Sequence, residues 1–215
     1  MELTVHLFVS LDGVVQGPGS PDEDPSGGFT RGGWLVPHVD DEFGEVVDGW
    51  FARTGELLFG RTTYDMMQAY WPQVTDGGGR AASMLNGRPK HVVTSHPDDL
   101  APWAGATALA GDPVAGVRAL KSREAADGGE LQVHGCAGLV QTLLAAGLVD
   151  ELRTLTFPTV VGAGKRLMEP GLPTSTWRLV DSSITSAGAV AARYRPTDHT
   201  GPGAFVVRDG RETVA

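Results

Sequence analysis

Cysteine is nearly absent from this chain. The single one, Cys136, excludes an intramolecular disulfide, so the core alone must hold the fold. Long apolar runs are missing too, and none approaches the roughly 18 residues of a membrane-spanning helix. The opening Met1-Glu2-Leu3-Thr4-Val5 has no basic stretch ahead of an apolar one, so no secretory leader is read there. The expected location is the cytoplasm. Positive charge is scarce: 17 Lys and Arg stand against 26 Asp and Glu, a formal net charge of −9. That balance disfavours a nucleic-acid backbone or an anionic membrane as partner. The six histidines show no His-x-x-x-His pairing, so no metal site is expected.

What is present fits one folded domain. A length of 215 residues with 41% apolar side chains can bury a full core. The domain is expected over 1–215, with its core over about 3–195 and a C-terminal extension over 196–215. Short apolar, β-branched runs predict strands over 3–9, 56–59, 90–94, 131–134 and 151–157. A hairpin is expected from 177–184 and 190–194 around Ser186-Ala187-Gly188, with one more edge strand over 204–208 and frayed last residues. Helices are expected after Asp40-Asp41-Glu42, after Gly60, around 80–85, from Asp112-Pro113 to about Arg123, and over 138–146. A flexible turn is expected over 75–79. Between Ser10 and Pro37 runs a Gly-, Pro- and Asp-rich segment, long enough to be functional, with Trp34 and Leu35 as an anchor folding it back. The order of elements implies an α/β sheet, mostly parallel, with an antiparallel edge.

Two turns carry the chemistry. Gly60-Arg61-Thr62-Thr63-Tyr64 follows Leu57-Leu58-Phe59, and His134-Gly135-Cys136-Ala137-Gly138 follows Leu131-Gln132-Val133. Each reads as strand, tight glycine turn, helix, which presents free N–H groups and a positive helix end to an anion. Two such places suit a ligand with several phosphates, such as a dinucleotide, and Arg61 adds a fixed charge. Thr94-Ser95-His96 ends another strand and offers hydroxyls. Cys136 reads as a small spacer. Phe43, Trp50, Phe51, Tyr64, Met67 and Trp71 read mainly as core, with a few reaching a pocket.

The ordered set Ser10-Leu11-Asp12-Gly13, Phe59-Gly60-Arg61-Thr62-Thr63-Tyr64, Tyr70-Trp71-Pro72, Asn86-Gly87-Arg88-Pro89-Lys90, Val93-Thr94-Ser95, Val133-His134-Gly135, Gly147-Leu148-Val149-Asp150-Glu151-Leu152 and Pro158-Thr159-Val160-Val161-Gly162-Ala163-Gly164-Lys165-Arg166-Leu167 resembles the dihydrofolate-reductase-like superfamily. The branch is that of the C-terminal reductase domain of riboflavin-biosynthesis enzymes, and the match spans about 3–195. The resemblance implies a three-layer α/β/α fold with a mostly parallel mixed sheet and a C-terminal antiparallel hairpin. It also implies a homodimer, an NADPH site and hydride transfer to a C=N or C=O carbon of a small planar heterocycle.

Carried over by motif, the cofactor residues would be Gly60, Arg61, Thr62, Thr63, Thr94, Ser95, His134, Gly135, Cys136, Ala137 and Gly138. Asp12 would bind substrate or orient a proton-delivering water. Trp34, Phe51, Tyr64 and Trp71 would line the substrate slot, and the segment 10–37 would close over it. Two departures stand out. The acids of Asp40-Asp41-Glu42 lie in a first turn, not buried where a pterin would need one. The Glu that riboflavin-pathway reductases tend to carry ahead of the last glycine turn is replaced by Val133 and His134. A dimeric nucleotide-binding or regulatory protein without turnover, and a reductase using a flavin-type cofactor, fit the same turns.

Overall fold

The computed structural model describes residues 1–75, 78–125, 127–198 and 203–214. In chain order the elements are β1 (Leu3–Ser10), α1 (Asp41–Phe51), β2 (Thr54–Gly60), α2 (Arg61–Tyr70), α3 (Gly79–Gly87), β3 (Lys90–Val93) and β4 (Ala106–Leu109). They continue with α4 (Pro113–Lys121), β5 (Glu130–His134), α5 (Ala137–Ala145), β6 (Glu151–Phe157), β7 (Thr176–Ile184), β8 (Val190–Thr197), β9 (Phe205–Arg208) and β10 (Arg211–Val214). None of these helices is long and apolar enough to cross a membrane.

Eight strands form one sheet in the order β4-β3-β2-β5-β1-β6-β8-β7. The first six are mutually parallel, and β8 runs antiparallel to both β6 and β7. Parallel neighbours need crossovers, and right-handed crossovers put leftward and rightward connections on opposite faces. Hence α1, α2 and α3 cover one face, while α4 and α5 cover the other. The side chains agree: Leu3, Val5, Leu7 and Val9 of β1 and Leu131 and Val133 of β5 pack with Val117 and Leu120 of α4 and Leu139, Val140 and Leu143 of α5. On the other face Leu57, Phe59 and Val92 meet Phe51, Tyr64 and Leu85. The three-layer α/β/α architecture with a mostly parallel sheet and a closing antiparallel hairpin is therefore present.

Four details differ from expectation. Strand β4 was not foreseen, because Ala106-Thr107-Ala108-Leu109 lacks a β-branched run. The segment 204–208 joins no edge of the main sheet; β9 pairs only with β10 in a separate ribbon. Residues 211–214, expected to fray, are thus strand. The turn expected over 75–79 includes residues 76 and 77, which lie outside the described residues.

The fourth difference concerns the segment after β1. Val14 bridges Arg166, Leu11 N–H donates to Thr159, Val15 N–H to Lys165, and Leu167 N–H to Gly13. Gln16 fixes the interior: its amide nitrogen donates to the carbonyls of Asp24 and Ser26, and its amide oxygen accepts from Lys165 N–H. Trp34 Nε1–H donates to the Gln16 carbonyl at 2.9 Å, and Trp34 and Leu35 are buried. The anchor works as its sequence suggests, but the segment is stitched to 158–167 as a fixed wall rather than hinged as a cover.

Candidate functional site

The strand order reverses direction between β2 and β5. The connection leaving β2 runs outward to β3, and the one leaving β5 runs the other way to β6. Open α/β sheets form their crevice at such a point, outside the carboxyl ends of the strands. The two glycine turns flank it. Gly60 ends β2 and Gly135 follows β5, and the strands are direct neighbours. A Cβ placed on Gly135 would lie 3.6 Å from the Thr63 side chain. Residues 75 positions apart thus build one cradle.

The helix starts there lack the side-chain caps of α1 and α4, a lack they share with α3. Asp40 caps α1 by accepting from Phe43 N–H, and Asp112 caps α4 by accepting from Val114 N–H. Neither α2 nor α5 has a side-chain cap. Gly60 and Cys136 sit at their N-cap positions, and no hydroxyl of Thr62 or Thr63 fills the role. First-turn N–H groups without a cap remain available to an anion. Gly138 at the start of α5 is exposed.

Cys136 joins the two turns. It adopts a left-handed backbone (φ 63°), a conformation costly for a residue with a Cβ. Its Sγ accepts the Gly60 N–H at 3.2 Å. Burial pushes the thiol up to about 11, so it stays protonated and inert.

Arg61 reaches across to the next loop. Its Nε donates to both oxygens of Asp65 at 2.8 Å, and its other nitrogens donate to the carbonyls of His96 and Asp99. The guanidinium therefore stands beside Thr94 and Ser95, with part of its charge offset by Asp65. Thr94 Oγ1 accepts from His96 N–H, and the Ser95 hydroxyl meets His96 Nδ1 at 2.9 Å. Gly60 through Thr63, Thr94, Ser95 and Gly135 through Gly138 all lie at the carboxyl ends of the neighbouring parallel strands β2, β3 and β5.

Several expected site residues have other work in this structure. Only the backbone of His134 belongs to the turn. Its ring points under α1, stacked on Phe51 at 4.3 Å and on His6 at 4.5 Å. Burial, with Arg153 nearby, lowers its pKa to about 3, so it cannot offer positive charge to a phosphate. Asp12 borders an open pocket with Ser10, Thr156, Arg166 and Met168, but its carboxylate is already engaged. Its carboxylate accepts from Val161 N–H at 2.9 Å, Gly162 N–H at 2.8 Å and the Ser10 hydroxyl at 2.7 Å, and pairs with Arg166 at 3.2 Å. Those bonds, the Val161 amide first and the Ser10 hydroxyl next, hold it ionised well below the usual carboxylate range. It clamps the β1 loop to the β6 loop.

Tyr64 is fully buried between Phe59 and Trp103, with its hydroxyl on the Ala101 carbonyl. Phe51 and Trp34 are likewise interior. Trp71 is half-buried beside Met67, its Nε1–H on the Met67 sulfur at 3.0 Å. The acids at the start of α1 are not buried in the sheet face: Asp41 and Glu42 are exposed.

A second polar assembly went unread in the sequence. Beneath α1, where an apolar sheet face is expected, β1 places Thr4 and His6, β5 places Glu130, Gln132 and His134, and β6 places Glu151 and Arg153; all are buried. Arg153 bridges Glu151 (2.6 Å) and Glu130 (2.8 Å). Gln132 donates to Glu130 and to the Trp50 carbonyl, and its oxygen accepts from Thr54 at 2.7 Å and meets His134 Nε2 at 3.0 Å. The signal was available: Glu130-Leu131-Gln132-Val133-His134 alternates polar and apolar with period two. Among the described residues, no three His, Cys, Asp or Glu side chains gather as a metal site.

The comparisons agree with this fold. Bacillus subtilis (strain 168) protein YyaP is 24% identical over 198 residues, covering 89% of this chain and 93% of YyaP. The crystal structure of a putative riboflavin biosynthesis protein from Shewanella sp. PV-4 superposes with a TM-score of 0.62 at 20% identity, over 92% of this chain and 99% of that one. Dihydrofolate reductase from Enterococcus faecalis, solved with NADP(H), gives a TM-score of 0.57 at 16% identity, over 92% and 97% of the two chains. At those identities the structures speak for the fold. The family model described as the RibD C-terminal domain matches residues 2–191, and the chain belongs to that family.

Proposed function

We propose that this protein is an NADPH-dependent reductase that transfers hydride to a C=N or C=O carbon of a small planar heterocycle of the riboflavin-pathway or pterin-like class. The observation that carries the reading is the pair of uncapped helix starts, α2 and α5, facing one crevice at the switch point. Family membership and the NADP(H) bound by the Enterococcus faecalis enzyme support it.

The residues fit the cofactor's dimensions. Strands lie about 4.8 Å apart, so three steps from the end of β3 to the end of β1 span roughly 14 Å, a length suited to an extended dinucleotide. Thr94, Ser95 and Arg61 would take the adenosine ribose and its 2′-phosphate. The N–H groups of 61–63 and 137–139 would take the pyrophosphate, and the absence of a Cβ on Gly60 and Gly135 lets it approach. The nicotinamide would supply the hydride at the end of β1. There the protein's own part is to orient the pair and exclude water, through the wall 10–37 and the Asp12 clamp.

A homodimer is part of the proposal. Leu179, Ile184 and Val190 are exposed on the β7–β8 end of the sheet, beyond the reach of α5, and β7 is a free edge. Light scattering should give twice the 22.6 kDa chain mass, and Ile184→Glu should return it to one. A monomeric wild type would refute this part.

The function is tested by titrating the protein with NADPH and, separately, NADH, followed by tryptophan quenching. Micromolar NADPH binding, weakened by Arg61→Ala more than NADH binding is, supports the reading. Binding of neither nucleotide rejects it.

A further inference from the structure

Among the described residues two buried side-chain nitrogens lack a hydrogen-bond partner: His6 Nδ1, within the polar assembly under α1, and Arg193 Nε, on β8 near Glu151. His6 is 1% exposed, and its Nδ1 has no hydrogen-bond partner. Its other nitrogen fixes the tautomer. Thr4 Oγ1 donates its one hydrogen to Glu130 at 3.1 Å, so at 2.9 Å it must accept from His6 Nε2–H. Nδ1 is therefore the lone-pair nitrogen. Burial first, then the neighbouring His134 and Arg153, keep the ring neutral, so the lone pair persists at physiological pH.

Orphaned buried acceptors are rare and call for a reason. A sheet face packed with ionic and amide groups is also a poor device for stability, since apolar side chains of similar volume do as well or better. The surroundings suggest a ligand. The imidazole is stacked on His134 at 4.5 Å and met edge-on by Trp50 at 5.2 Å. Trp50 in turn stacks on Phe8 at 5.5 Å, and Phe43 lies 5.6 Å from Phe8. Phe8, Phe43 and Val46 are only partly buried, so this aromatic wall reaches the surface between α1 and the sheet. The two imidazole nitrogens point in divergent directions; with Nε2 held toward Thr4, Nδ1 is turned away from Thr4, and Phe8 is the next residue of β1 on that face.

We propose that His6 is a specificity residue of the substrate site. Its Nδ1 accepts a hydrogen bond from a ring N–H or exocyclic amino group of a flat heterocycle seated against Phe8, Phe43 and Trp50. The proposal rests on the reductase reading, and it narrows the substrate to rings that carry such a donor. Glu130 and Arg153 act behind His6, holding Thr4 and hence the tautomer.

The test uses 2,4-diaminopyrimidine as probe, with unsubstituted pyrimidine as the donor-free control, each titrated with and without saturating NADPH. Wild type should prefer the diamino ring by about tenfold or more, one well-made hydrogen bond in a dry site. His6→Phe, which keeps a flat ring, should abolish that preference while NADPH affinity stays unchanged. Because His6→Phe can disturb Thr4, a second measurement uses wild type alone. The ¹⁵N resonance of His6 Nδ1 should move upfield when the diamino probe binds and stay put with pyrimidine. Equal affinity for the two rings, or a static Nδ1 resonance, overturns the proposal. Loss of NADPH binding by wild type instead overturns the reductase reading, and the probe arms without NADPH still decide the role of His6.

Discussion

Gly138→Glu separates stability from binding at the proposed phosphate cradle. Gly138 is the second residue of α5, and a Cβ there meets nothing within 4 Å. Replacing a helical glycine gains up to about 1 kcal/mol, and a carboxylate in the first turn adds a few tenths through the helix dipole. For a chain of this size 1 kcal/mol raises Tm by roughly 2–4 °C. The same carboxylate would stand within about 4 Å of a bound pyrophosphate. Like charges at that distance repel by about 4 kcal/mol at an effective dielectric of 20, and halving that for screening leaves about 2 kcal/mol, near a 30-fold loss in affinity. Differential scanning calorimetry and an NADPH titration on the same preparation read both effects. Gly44→Glu, on the distant α1 with equally open space, controls for added net charge. A variant that is more stable yet binds NADPH as well as wild type would refute the cradle.

Other expectations follow from groups described above. Asp12→Asn should lower Tm by several degrees at pH 7. The wild-type carboxylate, held below its ordinary 3.8, stabilises above that pH and loses its contribution as pH falls further, so the gap between variant and wild type should narrow at pH 3 and keep narrowing below it; an equal gap at pH 7 and pH 3 would count against the clamp. His6 and His134 are both held neutral, which makes the unfolded chain the better proton binder below 6.5. Urea denaturation should show stability falling between pH 6.5 and 5, by up to about 1.4 kcal/mol per pH unit for each histidine, and His134→Phe should roughly halve the slope. A flat profile would mean the pair is not buried. Lys90 is fully buried, its ammonium on the carbonyls of Asn86, Arg88 and Ala104 and over the Trp103 ring at 4.6 Å. Lys90→Met strands those carbonyls and should cost about 2 kcal/mol by chemical denaturation; a neutral result would show the carbonyls are satisfied by water.

Short-range patterns were legible in the sequence. A glycine between an apolar run and a helix start is a local event, and both Gly60 and Gly135 could be placed on strand ends before any contact was known. So could the Asp112-Pro113 helix start and the Ser186-Ala187-Gly188 turn. What escaped depends on partners far along the chain. Asp12 looks like an ordinary turn residue until Val161 and Gly162 arrive, 149 and 150 positions away. The segment 10–37 looks loose because its bonds are irregular, some to 158–167 and some across the segment itself, as from Gln16 to Asp24 and Ser26. Tyr64, Phe51 and His134 have the chemistry of site residues, but helix and strand phase turn their rings inward. The polar stripe under α1 left a period-two trace on β5, hidden by the apolar residues of the same strand.

The strand order also governs how the protein can be made. β5 lies between β1 and β2, so the first two strands of the chain never touch each other. Until residues 130–134 have left the ribosome, β1 has no neighbour in the sheet, and β6 must follow to cover its other side. The first 125 residues can therefore gather α1 to α3 against β2 and β3 but cannot close the centre. The nucleotide cradle is likewise split between the first and middle thirds of the chain, so binding competence should appear late and all at once, when the middle of the sheet is filled by one of its last parallel strands.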